Sequence, residues 1–344
     1  MSNRIKNIIY TFILLLAVFL VWNYRENKKN ALLKYEMSGN TMGTTYSVIY
    51  FDESKKATQK SIDSLLIEFN NALSTYIPNS EISRFNRGDL LTFESPYLYP
   101  VLRTSKNIFK QSEGSFDPTV MTLVNLWGFG PDDSLQPDSA LVDSILNFTG
   151  FHHITFTDKE ITKDDARVQL DFSAIAKGYG VDVVGEYLDY LKIENYFIEI
   201  GGEVLCKGKN IAKNTLWSLG ITHPNSEVFN VFPYAILALK DRGMATSGNY
   251  FNYHEIDGKR YGHTLNPKTG YPIIHNLLSA TVVAPSCMEA DGWATTCMVE
   301  GFEKSKKLIE NNKQLEAYFI YTDNDGSIKE YATQGLKGLV HKIE

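Results

Sequence analysis

The feature that most constrains this chain is a nearly unbroken apolar run near its amino terminus, IIYTFILLLAVFLVW, from Ile8 to Trp22. As a helix the run would cover roughly 22 Å, and starting at Ile5 with Trp22 and Tyr24 as interfacial anchors brings it close to the ~30 Å of a bilayer core. A buried core helix would show a polar stripe, and none is visible. We therefore interpret residues 1–24 as a membrane anchor or a signal segment.

The sequence after the run favours an uncleaved anchor, with a cleaved signal as the alternative. No small-residue cleavage site follows, because the run leads into Trp22-Asn23-Tyr24-Arg25, and no cysteine near its end offers a lipid acceptor. Basic residues on both sides of the run balance, so charge alone does not fix the orientation. A single amino-terminal apolar segment is usually an export signal, so we expect the domain that follows it to be exported.

The rest of the chain has the composition of a folded protein. Residues 25–37 are polar and predict a tether, and no linker or repeat divides residues 38–344. The chain is 43% hydrophobic and 22% charged, with a net charge of -6, which argues against a nucleic-acid binder. Three cysteines allow at most one disulfide, so no disulfide framework holds the fold.

Hydrophobic periodicity predicts helices and strands in mixed order, without a strict βαβ rhythm, which is typical of the α+β class. The predicted helices are 56–74, 96–112, 137–146, 174–191, 289–299 and 303–311. The predicted strands are 44–51, 152–156, 167–172, 196–200, 217–222, 234–239, 279–284 and 315–321.

Seven stretches combine glycine or other small residues with polar side chains in a way that a plain core does not need. They are TMGT (41–44), GSFDP (114–118), LDFSAIAKGY (170–179), IEIGGE (198–203), ATSGNY (245–250), HTLNPKTG (263–270) and EADGWATT (289–296). Each is weak alone, and none has the spacing of a P-loop, a dinucleotide fingerprint or a zinc site.

Together these stretches resemble the ApbE family of flavin transferases, from about Ser38 to the carboxy terminus. The resemblance implies an α+β, tandem-lobed fold with mixed or antiparallel sheets, packed helices and FAD in a cleft. It also implies an Mg²⁺-dependent enzyme that cleaves FAD, joins FMN through a phosphoester to a Thr or Ser of an acceptor protein and releases AMP.

Asp291 and Thr295 lie four residues apart on a predicted helix, so their side chains share one face. A carboxylate and a hydroxyl are hard oxygen ligands suited to Mg²⁺. The resemblance implies that they bind this metal together with the main-chain oxygen of Ala174. Spacing alone favours a solvated helix face, and only the resemblance favours a metal site.

Further positions match the dinucleotide site of the family. By resemblance Asp171 and Lys177 line the FAD site, although alone they would read as a surface ion pair. The other matching positions are Met42, Tyr76, Ser115, Phe116 and Asp117. The aromatic rings offer faces for stacking, but both are equally typical of a core.

His263 is the candidate acid–base residue, since it alone among seven histidines lies in a matching motif. An imidazole with an ordinary pKa of ~6.5 can take a proton from an incoming hydroxyl. The neighbouring Leu265 is expected to place backbone groups against the flavin.

Two other functions share these motifs. One is an Mg²⁺-dependent FAD pyrophosphatase giving FMN and AMP, and the other is a non-catalytic FAD-binding envelope protein. The transferase interpretation implies FAD and an acceptor flavoprotein subunit of a membrane redox complex as partners.

Overall fold

The structure, a computed structural model, describes residues 3–29, 32–130, 138–223, 232–248, 253–256, 259–262 and 264–343. Its helices are α1 (Asn3–Lys29), α2 (Gln59–Leu73), α3 (Glu81–Arg87), α4 (Leu98–Gln111), α5 (Met121–Leu126), α6 (Ser139–Leu146), α7 (Ala176–Tyr190), α8 (Cys287–Glu300) and α9 (Phe302–Asn311). Its strands are β1 (Leu33–Thr41), β2 (Thr44–Asp52), β3 (Leu90–Thr92), β4 (Ile154–Phe156), β5 (Glu160–Lys163), β6 (Asn195–Ile200), β7 (Glu203–Lys207), β8 (Trp217–Thr222), β9 (Pro233–Leu239), β10 (Arg242–Gly248), β11 (Tyr253–Ile256), β12 (Lys259–Gly262), β13 (Leu277–Ala284), β14 (Glu316–Thr322), β15 (Ile328–Ala332) and β16 (Val340–Lys342).

The apolar run lies in α1, whose stretch Asn3–Trp22 has a mean hydropathy of 2.2 and buries none of its length against the rest of the chain. By length and composition it fits an anchor and a signal segment alike. Helix α1 continues to Lys29 and β1 begins at Leu33, so these elements take up most of the stretch interpreted as a tether. Strand β1 pairs with β2 from Leu33 onward, and the ring of Tyr35 stacks on Tyr50 at 5.0 Å.

An eight-stranded antiparallel sheet in the order β1-β2-β6-β7-β10-β13-β14-β15 forms the centre of the fold. Successive side chains of a strand point to opposite faces. On β14, Ala317 and Phe319 accordingly pack into the core shared with α4, α8 and α9, whereas Tyr318 and Ile320 pack against the sheet β16-β9-β8. The α+β class is confirmed.

One predicted strand is wrong. Residues 167–172 do not pair with β4, whose antiparallel partner is β5. Other contacts hold their backbone instead. Gln169 forms an isolated bridge with Val120, Asn86 exchanges two hydrogen bonds of 2.8 Å with the main chain of Leu170, and Lys163 Nζ donates to the carbonyl oxygen of Val168 at 2.7 Å. The alternation that suggested a strand arises because Val168, Leu170 and Phe172 are all buried.

Two glycines allow the close packing of α8. A Cβ on Gly178 of α7 would lie 2.3 Å from the carbonyl oxygen of Cys287, and one on Gly243 of β10 would lie 2.3 Å from the Cys287 nitrogen. Asp182 of α7 accepts hydrogen bonds of 2.8 Å from the backbone N–H groups of both Cys287 and Met288. The first turn of α8 is therefore fixed from two sides and capped by a buried carboxylate.

For Gly178→Ala we expect a net loss of about 1–3 kcal/mol in the free energy of unfolding, because the clash is with backbone and outweighs the helix propensity gained. Urea unfolding measures this. Gly220→Ala is the matched control, since its Cβ would meet only the Cβ of Pro233 at 3.6 Å. Equal stability of the two variants would contradict the assigned packing.

Asp182 gives a pH test. Burial raises its pKa to about 7, although the two amide hydrogen bonds act to lower it. An acid with a raised folded-state pKa stabilises the fold at low pH, and this contribution is lost as the pH rises from ~4 through the folded pKa. Asp182→Asn lacks this term, so its stability relative to the parent should improve by about 1.4 kcal/mol per pH unit over that window. Parallel stability curves from urea unfolding would refute this.

Candidate active site

A cavity of about 650 Å³ lies where the β1–β2 turn, the end of α2 and the start of α7 meet. This is a volume typical of small-molecule sites. Three predicted site residues line it, namely Met42, Tyr76 and Lys177, and the ring of Tyr76 is 66% exposed at the cavity. The structure thus brings together side chains from three separate motifs.

The β1–β2 turn places Met42 in this cavity. Met42 and Gly43 both have positive φ, 49° and 70°, the backbone of a tight two-residue hairpin turn. A Cβ on Gly180 would lie 2.6 Å from Met42 Cε, so the methionine tip rests on α7 at a position that needs glycine. The turn and α7 therefore shape one wall together.

Asp291 is anchored at the α7–α8 contact beside this cavity. It is 3% exposed, and its Oδ2 accepts a 2.9 Å hydrogen bond from the backbone N–H of Gly178. Burial raises the pKa of Asp291, while the charge of Lys177 and the Gly178 hydrogen bond act to lower it. The carboxylate is held in place by main chain, next to a cation.

Lys177 lies among acidic side chains. It lines the cavity, remains a third exposed and donates a short hydrogen bond from Nζ to Glu203 Oε1. Burial lowers the pKa of Lys177, but the carboxylates of Asp291 and Glu203 outweigh it and hold that pKa above its ordinary value. The lysine is therefore a cation facing the cavity.

The expected metal ligands have suitable chemistry. Thr295 lies one helical turn after Asp291 and its Oγ1 is 3.3 Å from Ser247 Oγ, while Ala174 is half buried just before α7. Glu203 Oε2 is buried without a hydrogen-bond partner. The described part of the chain holds no cluster of three or more His, Cys, Asp or Glu suited to a metal. These oxygen donors fit Mg²⁺, which needs few protein ligands.

Asp171 is tied to a second predicted segment. Its Oδ1 accepts hydrogen bonds from the N–H and Oγ of Ser173 at 2.8 and 2.6 Å, and its backbone N–H donates to the carbonyl oxygen of Pro118 at 2.8 Å. Burial raises the pKa of Asp171. The LDFS and GSFDP motifs are thereby joined through their main chains.

The predicted residues 115–117 use their side chains internally. Ser115 is 1% exposed and its hydroxyl donates to Glu300, and Phe116 is buried in the core. Asp117 accepts from the N–H and Oγ1 of Thr119 at 2.9 and 2.7 Å, and burial raises its pKa to about 6. None of these three side chains lines the cavity.

In the HTLNPKTG motif, Leu265 is 7% exposed in the core and pairs through its backbone with Pro272. Lys268 Nζ lies 3.6 Å from Glu300, the residue that also binds Ser115. His263 lies outside the described residues.

Three polar residues at or beside the site were not singled out from the sequence. Glu203 and Ser247 stand inside quoted motifs, where only the neighbouring glycines drew attention. Asn70, in the last turn of α2, lines the cavity but carries no sequence signal.

The chain is similar to known proteins over most of its length. The model of the ApbE family matches residues 42–319. The FAD:protein FMN transferase of Vibrio cholerae is 41% identical over 319 residues, covering 89% of this chain and 92% of that protein. Its Haemophilus influenzae counterpart is 40% identical, covering 84% of this chain and 87% of that protein.

The fold of this chain is also similar to solved structures of flavin transferases. The flavin transferase ApbE from Vibrio cholerae has a TM-score of 0.80 at 38% identity, covering 90% of this chain and 99% of that one. The apo form of the Pseudomonas stutzeri flavinyl transferase ApbE has a TM-score of 0.79 at 32% identity, covering 90% and 97%. The family model matches most of the chain, the relatives are of nearly equal length, and the fold is shared. This chain therefore belongs to the ApbE family.

Proposed function

We propose that this chain transfers FMN from FAD to a Thr or Ser hydroxyl of an acceptor protein through a phosphoester bond, releasing AMP. The observation that carries the proposal is a cationic lysine, Lys177, facing a 650 Å³ cavity beside the buried carboxylate of Asp291. A phosphoryl-transfer site needs positive charge at the pyrophosphate and a polar group that holds it in place. The names of the relatives point to the same reaction.

The cavity residues have distinct roles in this proposal. Lys177 neutralises charge on the pyrophosphate, and the exposed ring of Tyr76 offers a stacking face beside Met42. Asp171 accepts hydrogen bonds from ribose or adenine. Residues 115–117 and Leu265 are buried or internally bonded, so in our proposal they contribute backbone groups and shape rather than free side chains.

In the proposal Asp291, Thr295 and the Ala174 carbonyl hold Mg²⁺. Bound there, the metal would supply positive charge against the pyrophosphate and the departing AMP. His263 takes the proton from the acceptor hydroxyl, which then attacks the FMN-side phosphorus. Exclusion of bulk water by the acceptor would favour transfer over hydrolysis.

Helix α1 places this chemistry at a membrane in our proposal. Its apolar length fits an anchor or a signal segment. We propose a catalytic domain on the periplasmic side of the inner membrane, beside flavoprotein subunits of membrane redox complexes as acceptors.

One assay separates the three candidate functions. The purified chain is incubated with FAD and Mg²⁺, with and without a candidate acceptor, and the products are separated. A covalently fluorescent acceptor with AMP supports transfer. Free FMN with AMP identifies a pyrophosphatase, and intact FAD identifies a binding protein.

For Asp291→Asn we expect at least about a hundredfold loss of flavin transfer at defined Mg²⁺, because the amide cannot supply the carboxylate charge. The amide oxygen still accepts the Gly178 hydrogen bond, so the fold should persist. Asp52→Asn is the control, since this buried aspartate pairs with Lys56 and does not line the cavity, and it should retain transfer. Full transfer by Asp291→Asn in chelator-treated buffer would sink the metal assignment.

His263→Ala should bind FAD yet lose transfer by about 10²–10⁴-fold, the usual contribution of a general base. Fluorescence titration measures binding, and acceptor flavinylation measures transfer. His341→Ala, on an exposed position of β16, is the control. If His263→Ala transfers at the parental rate, the histidine has no part in the reaction.

A further inference from the structure

Lys177 is bonded to one carboxylate, and the residue after it is bonded to a second. Its Nζ donates to Glu203 Oε1, while the carboxylate of Asp291 accepts from the backbone N–H of the next residue, Gly178, and its charge also acts to raise the pKa of Lys177. Glu203 is 3% exposed and Asp291 is equally buried. A lysine is a compact charge on a flexible four-carbon stem, so it moves readily to whichever partner is free. Lys177 could pair with Glu203 or with Asp291, and in the structure it pairs with Glu203.

The turn before Glu203 is shaped to receive the lysine. Gly201 has a φ of 61°, and a Cβ there would lie 3.3 Å from Lys177 Cδ and 2.8 Å from Thr44 Cγ2. Any larger residue would strain the backbone and crowd the lysine stem. The Gly–Gly turn thus lets the stem pass and ends with Glu203 under the ammonium.

Glu203 lowers the stability of the fold. Its second oxygen, Oε2, is buried with no hydrogen-bond partner, and burial raises the pKa of this carboxyl against the opposing effect of Lys177. An unpaired buried carboxylate oxygen is a destabilising feature that a purely structural position would not favour.

We propose that Glu203 is a positioning residue that holds the Lys177 ammonium away from Asp291, so that Asp291 remains open to Mg²⁺. This inference rests on the metal assignment in the proposed function. Without Glu203, Lys177 turns to Asp291, and the cation must displace an internal ion pair in order to bind. The effect of Glu203 on metal affinity is thus predicted to act through Lys177.

A double-mutant cycle tests this, with metal binding as the readout. The full chain and the variants E203Q, K177M and K177M/E203Q are titrated with Mn²⁺ by electron paramagnetic resonance, and Mg²⁺ is measured by competition. We expect E203Q to weaken binding by about tenfold when Lys177 is present, a size usual for groups that support metal ligands. In the K177M background the same change should cost less than about twofold.

The cycle separates positioning from simple charge. If Glu203 acted only through its negative charge, E203Q would weaken binding equally in both backgrounds, and this result overturns the inference. Unchanged affinity in E203Q overturns it too. If the parent binds neither metal, the metal assignment itself fails and the inference falls with it, while the flavin-transfer assay still judges the reaction separately.

Two further variants serve as controls for the metal titrations. Asp52→Asn breaks another ion pair of a buried aspartate, with Lys56 at 2.8 Å, and should leave metal affinity unchanged. If E203Q does not fold by circular dichroism, Glu203→Asp replaces it, since it keeps the charge and shortens the arm. Its loss of affinity should again disappear in the K177M background, and an equal loss in both backgrounds contradicts the proposal.

Discussion

The contact between α7 and α8 is the constraint on which the rest of the site depends. Gly178 brings the two helices close enough for its own N–H to bind Asp291, and Asp182 caps the first turn of α8 from the same helix. Because α8 is fixed at its start, Asp291 and Thr295 have defined positions one turn apart. The residue before Gly178 is Lys177, so one stretch of main chain places both the cation and the anion of the site.

The polar groups beside this contact are buried and only partly satisfied: Asp291 accepts from the Gly178 N–H, whereas Glu203 Oε2 has no hydrogen-bond partner. Asp291 and Glu203 are both desolvated, and one lysine faces both of them. Such an arrangement stabilises the fold less than an apolar one would, since desolvation offsets much of the attraction. Two carboxylates and one lysine together favour binding of a metal cation, and a bound cation would attract an anionic pyrophosphate. This charge arrangement fits the ligands of the proposed function.

The helices that carry the site were predictable because they rest on local pattern, whereas the roles of their residues came from the resemblance to the ApbE family. Spacing placed Asp291 and Thr295 on one helix face, and the helix of Lys177 was predicted within two residues of its observed start. Residues 167–172 were misread because their main chain bonds to two side chains rather than to a strand: Asn86, which lies far away in sequence, and the nearby Lys163. The contact between Glu203 and Lys177 could not be predicted from the sequence. Lys177 lies on α7 and Glu203 on β7, and only the folded structure brings the two side chains together.

The position of α1 adds a geometric requirement on the acceptor. Only residues 30–32 separate α1 from β1, and β1 leads directly into the Met42 turn that lines the cavity. The nine residues of β1 span about 30 Å. If α1 remains in the membrane, the length of the connecting chain limits how far the cavity can lie from the bilayer surface. A soluble acceptor would reach the cavity by diffusion. A membrane-bound acceptor would have to present its hydroxyl within that distance of the bilayer, and its confinement to the same membrane would raise its effective concentration at the cavity.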